Sequence, residues 1–553
     1  MGPAINLGRS RRGKEIFVPA DQRQTHMQIV GASGRGKSKL LEHLLRQDML
    51  NRQGLCLIDP HGTLYGEMAR WCATHRLFEH RTIRLIDPSD PDWAWGFNPL
   101  ALDNAANPQR RVDAMVGACA QVWGGEDTTR TPLLMKCLRA LFYLLSVNRL
   151  TLLEAMQITT AYDADGFRRA LVEKIDDPVF GYLWREFEYL AESQKRLFIE
   201  QFQSTNNRLM EFLGSPTVRR IIGQRDRVID FRKCMDDGEI VLINLAPSND
   251  LSADNARVLG TLIVSELFLK CFGRPEGARP FYLYIDEAYR FLTKDIENIL
   301  DQARKFGLHL ILAHQRLGQL KEAGESIYNA VMTGAQTKIV FGGLEVSDAR
   351  LMAENIFIGE FDLQEAKERF NKPTVVDHVP EWLLSESTAI TESETETSGS
   401  SSETISYNGD GEEVGRSSSE GSPSSSSSRS VTEGYGRSQT LRPVLKDMPT
   451  TGYSLEELLY KATSRLVNQG KRQAIVKIPG RHSMAMQVAD VPPGIAQEPR
   501  IQKMSREVIE RTPFISPLKD VEAEFITRRD GVLTISIPPD PEDPDEHKDV
   551  EWR

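Results

Sequence analysis

A glycine-rich segment near the start of the chain contains the residues best suited to bind phosphate. From Gly31 to Ser38 it matches the pattern G-x-x-x-x-G-K-[ST], between a short apolar run and a helical pattern. Glycines in such a turn let backbone N–H groups surround a phosphate, and the following helix presents its positive end. The segment therefore predicts a site for ATP. The predicted ATP-binding residues are Gly31, Ala32, Ser33, Gly34, Arg35, Gly36, Lys37 and Ser38.

The side chains of this loop have different expected roles. Lys37 would reach the terminal phosphates and assist catalysis, while Ser38 would bind Mg²⁺. Arg35 could contact the nucleotide, contact a neighbouring subunit, or point to solvent. We expect it to point to solvent.

A second chemical signal is the run FYLYIDE, in which five apolar or aromatic residues precede two carboxylates. A buried parallel strand delivers the residues after it to the sheet edge where ligands bind. Asp286 would hold the Mg²⁺ shell, and Glu287 would be the base that orients or deprotonates the attacking water. The alternative is that IDE is an exposed loop start, which the upstream phosphate loop disfavours.

A third signal is Gln315 at the end of the run LHLILAHQ. An amide at that place could sense the terminal phosphate by hydrogen bonding to it or to the attacking water. A polar cap at the end of the strand is the alternative. We interpret the neighbouring His314 as structural.

The elements that must position these residues are short apolar runs alternating with longer helical stretches, which indicates a mostly parallel sheet covered on both faces. From about residue 104 to 232 no such run occurs, and apolar residues repeat at helical spacing instead. An all-helical insertion is therefore predicted. The runs are HMQIVG, GLCLID, TIRLID, EIVLINL, FYLYIDE, LHLILAHQ and TKIVFGG, with QAIVKIPG near the end either rejoining or capping the sheet.

The domain organisation follows from these patterns and from two segments of biased composition. A Ser-, Gly- and acid-rich stretch and the acidic tail lack the apolar residues needed to offset the entropy of ordering, so disorder is predicted for both. The predicted parts are 1–103 and 236–388 for the α/β ATPase domain, 104–235 for the helical insertion, 389–440 for the disordered linker, 441–500 for a segment rejoining or capping the ATPase domain, and 501–553 for an extension ending in the tail.

Composition excludes some functions and leaves others open. The net charge is −10, but 389–436 carries −7 and 537–553 carries −5, so the remainder carries +2 and DNA contact is neither required nor excluded. No window has the roughly 18 to 20 apolar residues that a membrane span needs, and no signal peptide is recognisable. The six cysteines show no zinc-type spacing, which favours free thiols and a cytoplasmic location.

Six motifs in this order resemble those of the HerA/FtsK class of P-loop motor ATPases. Within that class they most resemble the TraD/TraG-like coupling ATPases of conjugative type IV secretion and the HerA-like helicases. The resemblance covers about residues 7 to 380 and the short segment after the linker. The motifs are GASGRGKS, LCLIDPHG, WGFNPL, LYIDEAYRF, LDQARKFGLHLILAHQ and TKIVFGG.

The resemblance implies a RecA-like fold and a ring, usually a hexamer, that hydrolyses ATP between subunits and pulls DNA through its channel. It places Asp59 beside the nucleotide and likens the helical insertion to the all-α domain of coupling proteins. It also implies relaxosome or secretion-channel proteins as partners. Membrane-bound coupling proteins begin with transmembrane helices that this sequence lacks, so docking to an envelope channel would need a partner.

Hydrolysis between subunits also needs a cation donated in trans, because charge on the transferred phosphoryl group must be stabilised. The candidate arginine fingers are Arg208, Arg304 and Arg350.

Four functions remain open on the sequence. The leading hypothesis is a DNA-translocating ATPase that contacts phosphates without reading bases. The others are a VirB-type secretion ATPase, a HerA-like ring that processes DNA or defends against phage with a partner nuclease, and an ATP-dependent assembly switch or scaffold. Glu287 argues against the switch, since a switch does not need a catalytic carboxylate.

Overall fold

The structure is a computed structural model, and the described residues form two compact units. One unit comprises Met1–Phe361 and Glu456–Arg553, and the other comprises Asp362–Leu455. The described residues are 3–102, 107–123, 132–163, 165–294, 296–361, 366–368, 373–392, 404–407, 411, 413–417, 429–447 and 451–536.

The strands are β1 Ile5–Ser10, β2 Glu15–Val18, β3 Met27–Val30, β4 Gly54–Asp59, β5 Ile83–Ile86, β6 Trp93–Trp95, β7 Ile240–Asn244, β8 Phe281–Ile285, β9 Leu308–His314, β10 Thr337–Phe341, β11 Ala366–Glu368, β12 Pro373–Glu392, β13 Thr404–Tyr407, β14 Glu413–Ser417, β15 Arg429–Asp447, β16 Thr451–Gly452, β17 Gln473–Lys477, β18 Met484–Val488 and β19 Ile515–Pro517.

The helices are α1 Lys37–Leu50, α2 Thr63–His75, α3 Pro108–Trp123, α4 Pro132–Val147, α5 Ala155–Ile158, α6 Phe167–Val172, α7 Pro178–Ser193, α8 Lys195–Leu213, α9 Pro216–Ile222, α10 Phe231–Asp237, α11 Ala253–Cys271, α12 Ile296–Gln302, α13 Leu317–Ala323, α14 Glu325–Gly334, α15 Val346–Phe357, α16 Leu455–Val467, α17 Glu498–Glu510 and α18 Leu518–Ser536.

The first unit is built on an eleven-stranded sheet in the order β2-β1-β18-β17-β10-β3-β9-β8-β4-β7-β5. The seven strands from β10 to β5 are parallel, and they are the seven runs predicted from the sequence. QAIVKIPG forms β17, which rejoins the sheet antiparallel to β10. The prediction of a mostly parallel α/β sheet is therefore confirmed.

Strand β8 shows why continuous apolar runs mark these strands. Phe281, Leu283 and Ile285 enter the core that includes α11, whereas Tyr282 and Tyr284 enter the core that includes α1 and α2. Both faces are thus covered, and all five residues of the strand are buried.

The described residues between β6 and β7 form helices and turns, over the range where the sequence predicts a helical insertion. Helices α3 to α10 share one apolar core with α11 and with one face of the sheet. Aromatic side chains such as Trp184, Phe187 and Phe202 fill this core between α7, α8 and α4. The insertion is therefore packed on the ATPase sheet through a continuous apolar interior.

The second unit contains a long two-stranded ribbon, β12 paired with β15, and two shorter pairs, β13 with β14 and β11 with β16. The structure differs here from the predicted linker over 389–440, because its described parts are strands. In the register Ile390 lies opposite Val431, and backbone pairing between the two strands satisfies their hydrogen-bonding groups without a large core. The predicted boundary at 388 falls inside β12, and the tail from 537 to 553 lies outside the described residues.

Two further expectations concern membranes and thiols. In the described part of the chain, no helix combines the length and the apolar character that a bilayer crossing requires. All six cysteines are buried and free, as the sequence predicts.

Candidate nucleotide-binding site

The predicted phosphate loop joins β3 to α1 and depends on glycine at two points. A Cβ atom at Gly31 would lie 2.4 Å from the Cβ of Phe341, so the loop can leave the sheet there only without a side chain. Gly36 has φ of 120°, a conformation that residues with a side chain rarely adopt, immediately before the first helical residue Lys37. The loop therefore turns tightly onto the start of α1, where unpaired backbone N–H groups favour an anion.

Lys37 is held inside this loop. Its Nζ donates to the carbonyl oxygens of Gly31 at 2.7 Å and Ala32 at 3.2 Å. Burial lowers the pKa of Lys37, and the negative charges of Asp286 and Glu287 oppose that shift. Ser38, in the next position of α1, is exposed. The ammonium group thus lies where the loop would place a phosphate and close to the predicted catalytic carboxylates.

Asp286 and Glu287 follow β8 at the same edge of the sheet. Burial, together with the neighbouring carboxylates of Asp59 and Glu287, raises the pKa of Asp286 to about 6, while Lys37 acts in the opposite direction. A divalent cation would relieve this concentration of negative charge. In the described residues no group of three His, Cys, Asp or Glu side chains could hold a metal ion by itself, here or elsewhere. The donor set instead fits Mg²⁺, which takes few protein ligands when phosphate supplies the others.

Glu287 and Gln315 are brought into direct contact. The Nε2 atom of Gln315 donates to Oε1 of Glu287 at 2.5 Å, because β8 and β9 are neighbours in the sheet. Glu287 has φ of 48°, unusual for a residue with a side chain, and such conformations concentrate at functional sites. The structure therefore joins the predicted base to the predicted sensor.

Asp59 and His61 complete the carboxylate side of the site. Both oxygens of Asp59 accept backbone hydrogen bonds at 2.9 Å, one from His61 and the other from Tyr65 in α2. Asp59 thus fixes the turn between β4 and α2. That turn places His61 Nε2 at 4.0 Å from Oε1 of Glu287. The sequence reasoning missed His61, although the IDPHG motif that contains it was the available signal.

The three candidate arginine fingers lie elsewhere. Arg208 donates to the carbonyl oxygen of Trp123 in the helical insertion, and exposed Arg350 pairs with Glu354 and Glu456. Arg304 is exposed in the turn before β9, at the opposite end of that strand from Gln315. None of them contacts the phosphate loop of its own chain, and their role in a neighbouring subunit stays a prediction.

Arg35 was expected to point to solvent, and the structure shows that this expectation was wrong. It is partly buried and does not extend freely into solvent. Its Nη1 donates to the carbonyl oxygen of Gln469 at 3.4 Å, and its own carbonyl oxygen accepts from the N–H of Arg472 at 2.8 Å. The side chain packs so near Gly343 that a Cβ there would lie 2.8 Å from Arg35 Nε. Arg35 therefore joins the phosphate loop to the returning C-terminal segment.

A buried row of polar side chains crosses the sheet beneath the loop, on β10, β3 and β9. Lys338 Nζ donates to Oε1 of Gln28 at 3.1 Å and to two carbonyl oxygens at the end of α14. The amide nitrogen of Gln28 lies 3.0 Å from Nε2 of His314 and can only donate, so His314 is neutral and its Nδ1–H donates to the carbonyl of Arg316. Burial lowers the pKa of Lys338 to about 8 and that of His314 to about 4. His314 is structural, as interpreted from the sequence.

This environment predicts an acid-sensitive contribution to stability. Below pH 6.5 the unfolded state binds a proton at His314 that the folded state excludes, so the free energy of unfolding falls as pH falls toward 4. His314→Gln keeps a neutral donor and acceptor but does not titrate. Between pH 7 and 5 the wild type should lose about 2 kcal/mol more than this variant in urea titrations. Parallel pH profiles for the two proteins would contradict the prediction.

Comparison with known proteins shows two similarities in sequence. A family model described as the TraM recognition site of TraD and TraG matches residues 280–444, a range that includes β8, Asp286, Glu287 and Gln315. The type 4 coupling protein DotL of Legionella pneumophila is 22% identical over 391 residues. That match covers 60% of this chain and 49% of DotL, so the chain spans about half the length of that curated relative.

Solved structures of a coupling protein share the fold. The bacterial conjugative coupling protein TrwB in an unbound form has a TM-score of 0.51 at 14% identity, covering 89% of this chain and 90% of that one. The chain is type IV coupling-protein-like, with a RecA-like P-loop ATPase fold. TrwB in complex with ADP and Mg²⁺ gives a TM-score of 0.52 at 13% identity, covering 89% and 91% of the two chains. The resemblance inferred from the motifs of this coupling-protein-like chain is thus confirmed.

Proposed function

We propose that this chain hydrolyses ATP in a ring of identical subunits, a hexamer by likeness to the family, and uses the energy to move DNA in a type IV secretion or conjugation pathway. The observation that carries the proposal is the convergence of Lys37, Asp286, Glu287 and Gln315 at the ends of adjacent strands. A phosphate loop alone supports binding. The carboxylate of Glu287, hydrogen-bonded to the amide of Gln315, could in addition activate water for hydrolysis.

Each residue of the site has a defined task in this reaction. The backbone of residues 31–36 and the start of α1 would bind the phosphates, and Lys37 Nζ would exchange its carbonyl partners for phosphate oxygens. Ser38 and Asp286 would hold Mg²⁺, which neutralises charge on the phosphates. Glu287 would orient and deprotonate the attacking water, with Gln315 fixing its carboxylate. The cation that completes the site would come from a neighbouring subunit.

The polymer and the partners rest on likeness to coupling proteins. DNA contact would be made through phosphates by a ring channel and would be independent of sequence. The model for a TraM recognition site supports a relaxosome protein as partner at 280–444. Because ATP is cytoplasmic, the ATPase unit would work on that side of the membrane.

The test is the ATPase rate of the purified protein with no nucleic acid, with single-stranded DNA, and with double-stranded DNA of unrelated sequences. We expect stimulation by at least one form of DNA, equal for all sequences and weakened by salt. ATPase activity that no DNA stimulates would refute the DNA motor and leave the secretion ATPase. Absence of ATPase activity under all conditions would refute the enzyme.

Electron microscopy with a non-hydrolysable ATP analogue and DNA tests the assembly. We expect closed rings with density for DNA in the channel. Monomers at concentrations that saturate the nucleotide site would contradict the ring.

A further inference from the structure

The phosphate loop is contacted by the segment that returns from the second unit. After α16 the chain makes a turn and enters β17 at Gln473. Within this turn the N–H of Arg472 donates to the carbonyl oxygen of Arg35 at 2.8 Å, and Arg35 Nη1 donates to the carbonyl oxygen of Gln469 at 3.4 Å. Arg35 and Gln469 are 434 positions apart in sequence. The phosphate loop and the turn therefore each donate one hydrogen bond to the other.

The turn is itself fixed to the sheet through Gln469. Its buried side chain donates to the carbonyl oxygen of Val340 in β10 at 3.0 Å and to that of Leu466 in α16 at 3.2 Å. The N–H of Gly343 donates to the carbonyl oxygen of Val467 at 3.0 Å. These bonds to β10 and α16 thus fix the position of the backbone carbonyl oxygen of Gln469, which accepts from Arg35.

Arg472 is held in an unusual conformation. Its φ is 61°, in the left-handed region, and its carbonyl oxygen accepts from the N–H of Val488 in β18 at 2.9 Å. Its guanidinium pairs with Asp490 at 2.6 Å. A Cβ at Gly36 would lie only 3.1 Å from the Cα of Arg472. A residue with a side chain keeps a left-handed conformation when hydrogen bonds hold both its N–H and its carbonyl group, as they do at Arg472.

We propose that Arg35, Gln469 and Arg472, here called the loop clasp, hold the phosphate loop in the conformation that binds nucleotide. The inference rests on the proposed function. The three are positioning residues, which act on the nucleotide through the backbone of the loop. A glycine-rich loop loses conformational freedom when it binds phosphate, and contacts that order it beforehand reduce that loss. Nucleotide affinity then depends on a segment synthesised long after the loop itself.

The test is a double-mutant cycle between the two sides of the clasp. Arg35→Ala removes the side chain on the loop, and Gln469→Ala removes the bonds that position the turn. Each variant should weaken the binding of a fluorescent ATP analogue and raise KM about tenfold, while kcat at saturating ATP changes little. The double variant should lose about as much as each single one, because Gln469→Ala releases the backbone carbonyl at position 469 from its fixed place, and Arg35→Ala removes the side chain that bonds to that carbonyl, so both changes remove one contact.

The controls separate this inference from its alternatives. Lys471→Ala alters an exposed side chain in the same turn and should bind nucleotide like the wild type, and thermal unfolding of every variant checks folding. Weak binding by Arg35→Ala with normal binding by Gln469→Ala would mean that Arg35 contacts the nucleotide itself, and would overturn the clasp. Equal affinity in all variants would overturn the clasp alone, whereas a wild type that binds no nucleotide would overturn the proposed function with it.

Discussion

Glu287→Gln will abolish ATP turnover while the protein still binds ATP. The amide has nearly the same shape as the carboxylate but cannot accept the proton of the attacking water, so we expect kcat to fall by at least about 10²-fold. Asp286 and Lys37, the groups assigned to Mg²⁺ and phosphate, remain in place. Single-turnover hydrolysis and binding of a fluorescent ATP analogue measure the two properties separately.

The control for this substitution is Glu276→Gln, which makes the same chemical change at an exposed position outside the site. It should leave turnover unchanged. A Glu287→Gln protein with at least a tenth of wild-type kcat would remove Glu287 from the role of base. DNA transfer or movement that persisted in that variant would refute the motor and favour the switch.

Lys37→Ala will instead weaken nucleotide binding. The ammonium group is the buried cation inside the loop, and its charge-assisted bonds to phosphate are worth about 10- to 100-fold in affinity. The variant also loses a cation whose pKa is lowered by burial, so we expect little loss of thermal stability without ATP. Calorimetric titration with ATP and Mg²⁺, together with thermal unfolding with and without nucleotide, measures both effects.

Lys39→Ala is the matched control, since Lys39 lies two residues further along α1 and pairs with the buried Glu42, which keeps Arg46 as a partner in the variant. Nucleotide should stabilise this variant as it stabilises the wild type. Equal stabilisation of Lys37→Ala by ATP would refute the assignment of the phosphate loop.

The sequence predicts those parts of the site whose residues lie at the ends of buried strands. Phe281 to Ile285 form a run typical of a strand covered on both faces, and this run predicts that Asp286 and Glu287 lie at the edge of the sheet. Gln315 follows the next run along the chain, and neighbouring parallel strands bring it to Glu287. The spacing of apolar residues and the polar residues that follow them are enough to predict such features, because both are local patterns in the sequence.

Contacts between distant segments could not be predicted in the same way. Arg35 meets Gln469 because β17 pairs with β10, and no local pattern in GASGRGKS indicates that pairing. The ribbon of β12 and β15 was missed because the sequence between its two strands is rich in serine and acidic residues, a composition typical of disorder, while the strands themselves depend on mutual backbone pairing. An arginine that acts in trans could not be identified from one chain, since the site it completes belongs to another subunit.

The order of strands in the sheet also constrains how the protein is made. Strands β1 and β2 from the first residues of the chain join the sheet through β18, which is separated from them by most of the sequence. A nascent chain that has already left the ribosome with Lys37, Glu287 and Gln315 still presents unpaired edges at β10 and β1. Premature termination or slow synthesis after β10 would thus yield a chain that holds the proposed catalytic residues but exposes two unpaired strand edges. Such edges can pair with other chains, so we expect chaperones to bind this intermediate.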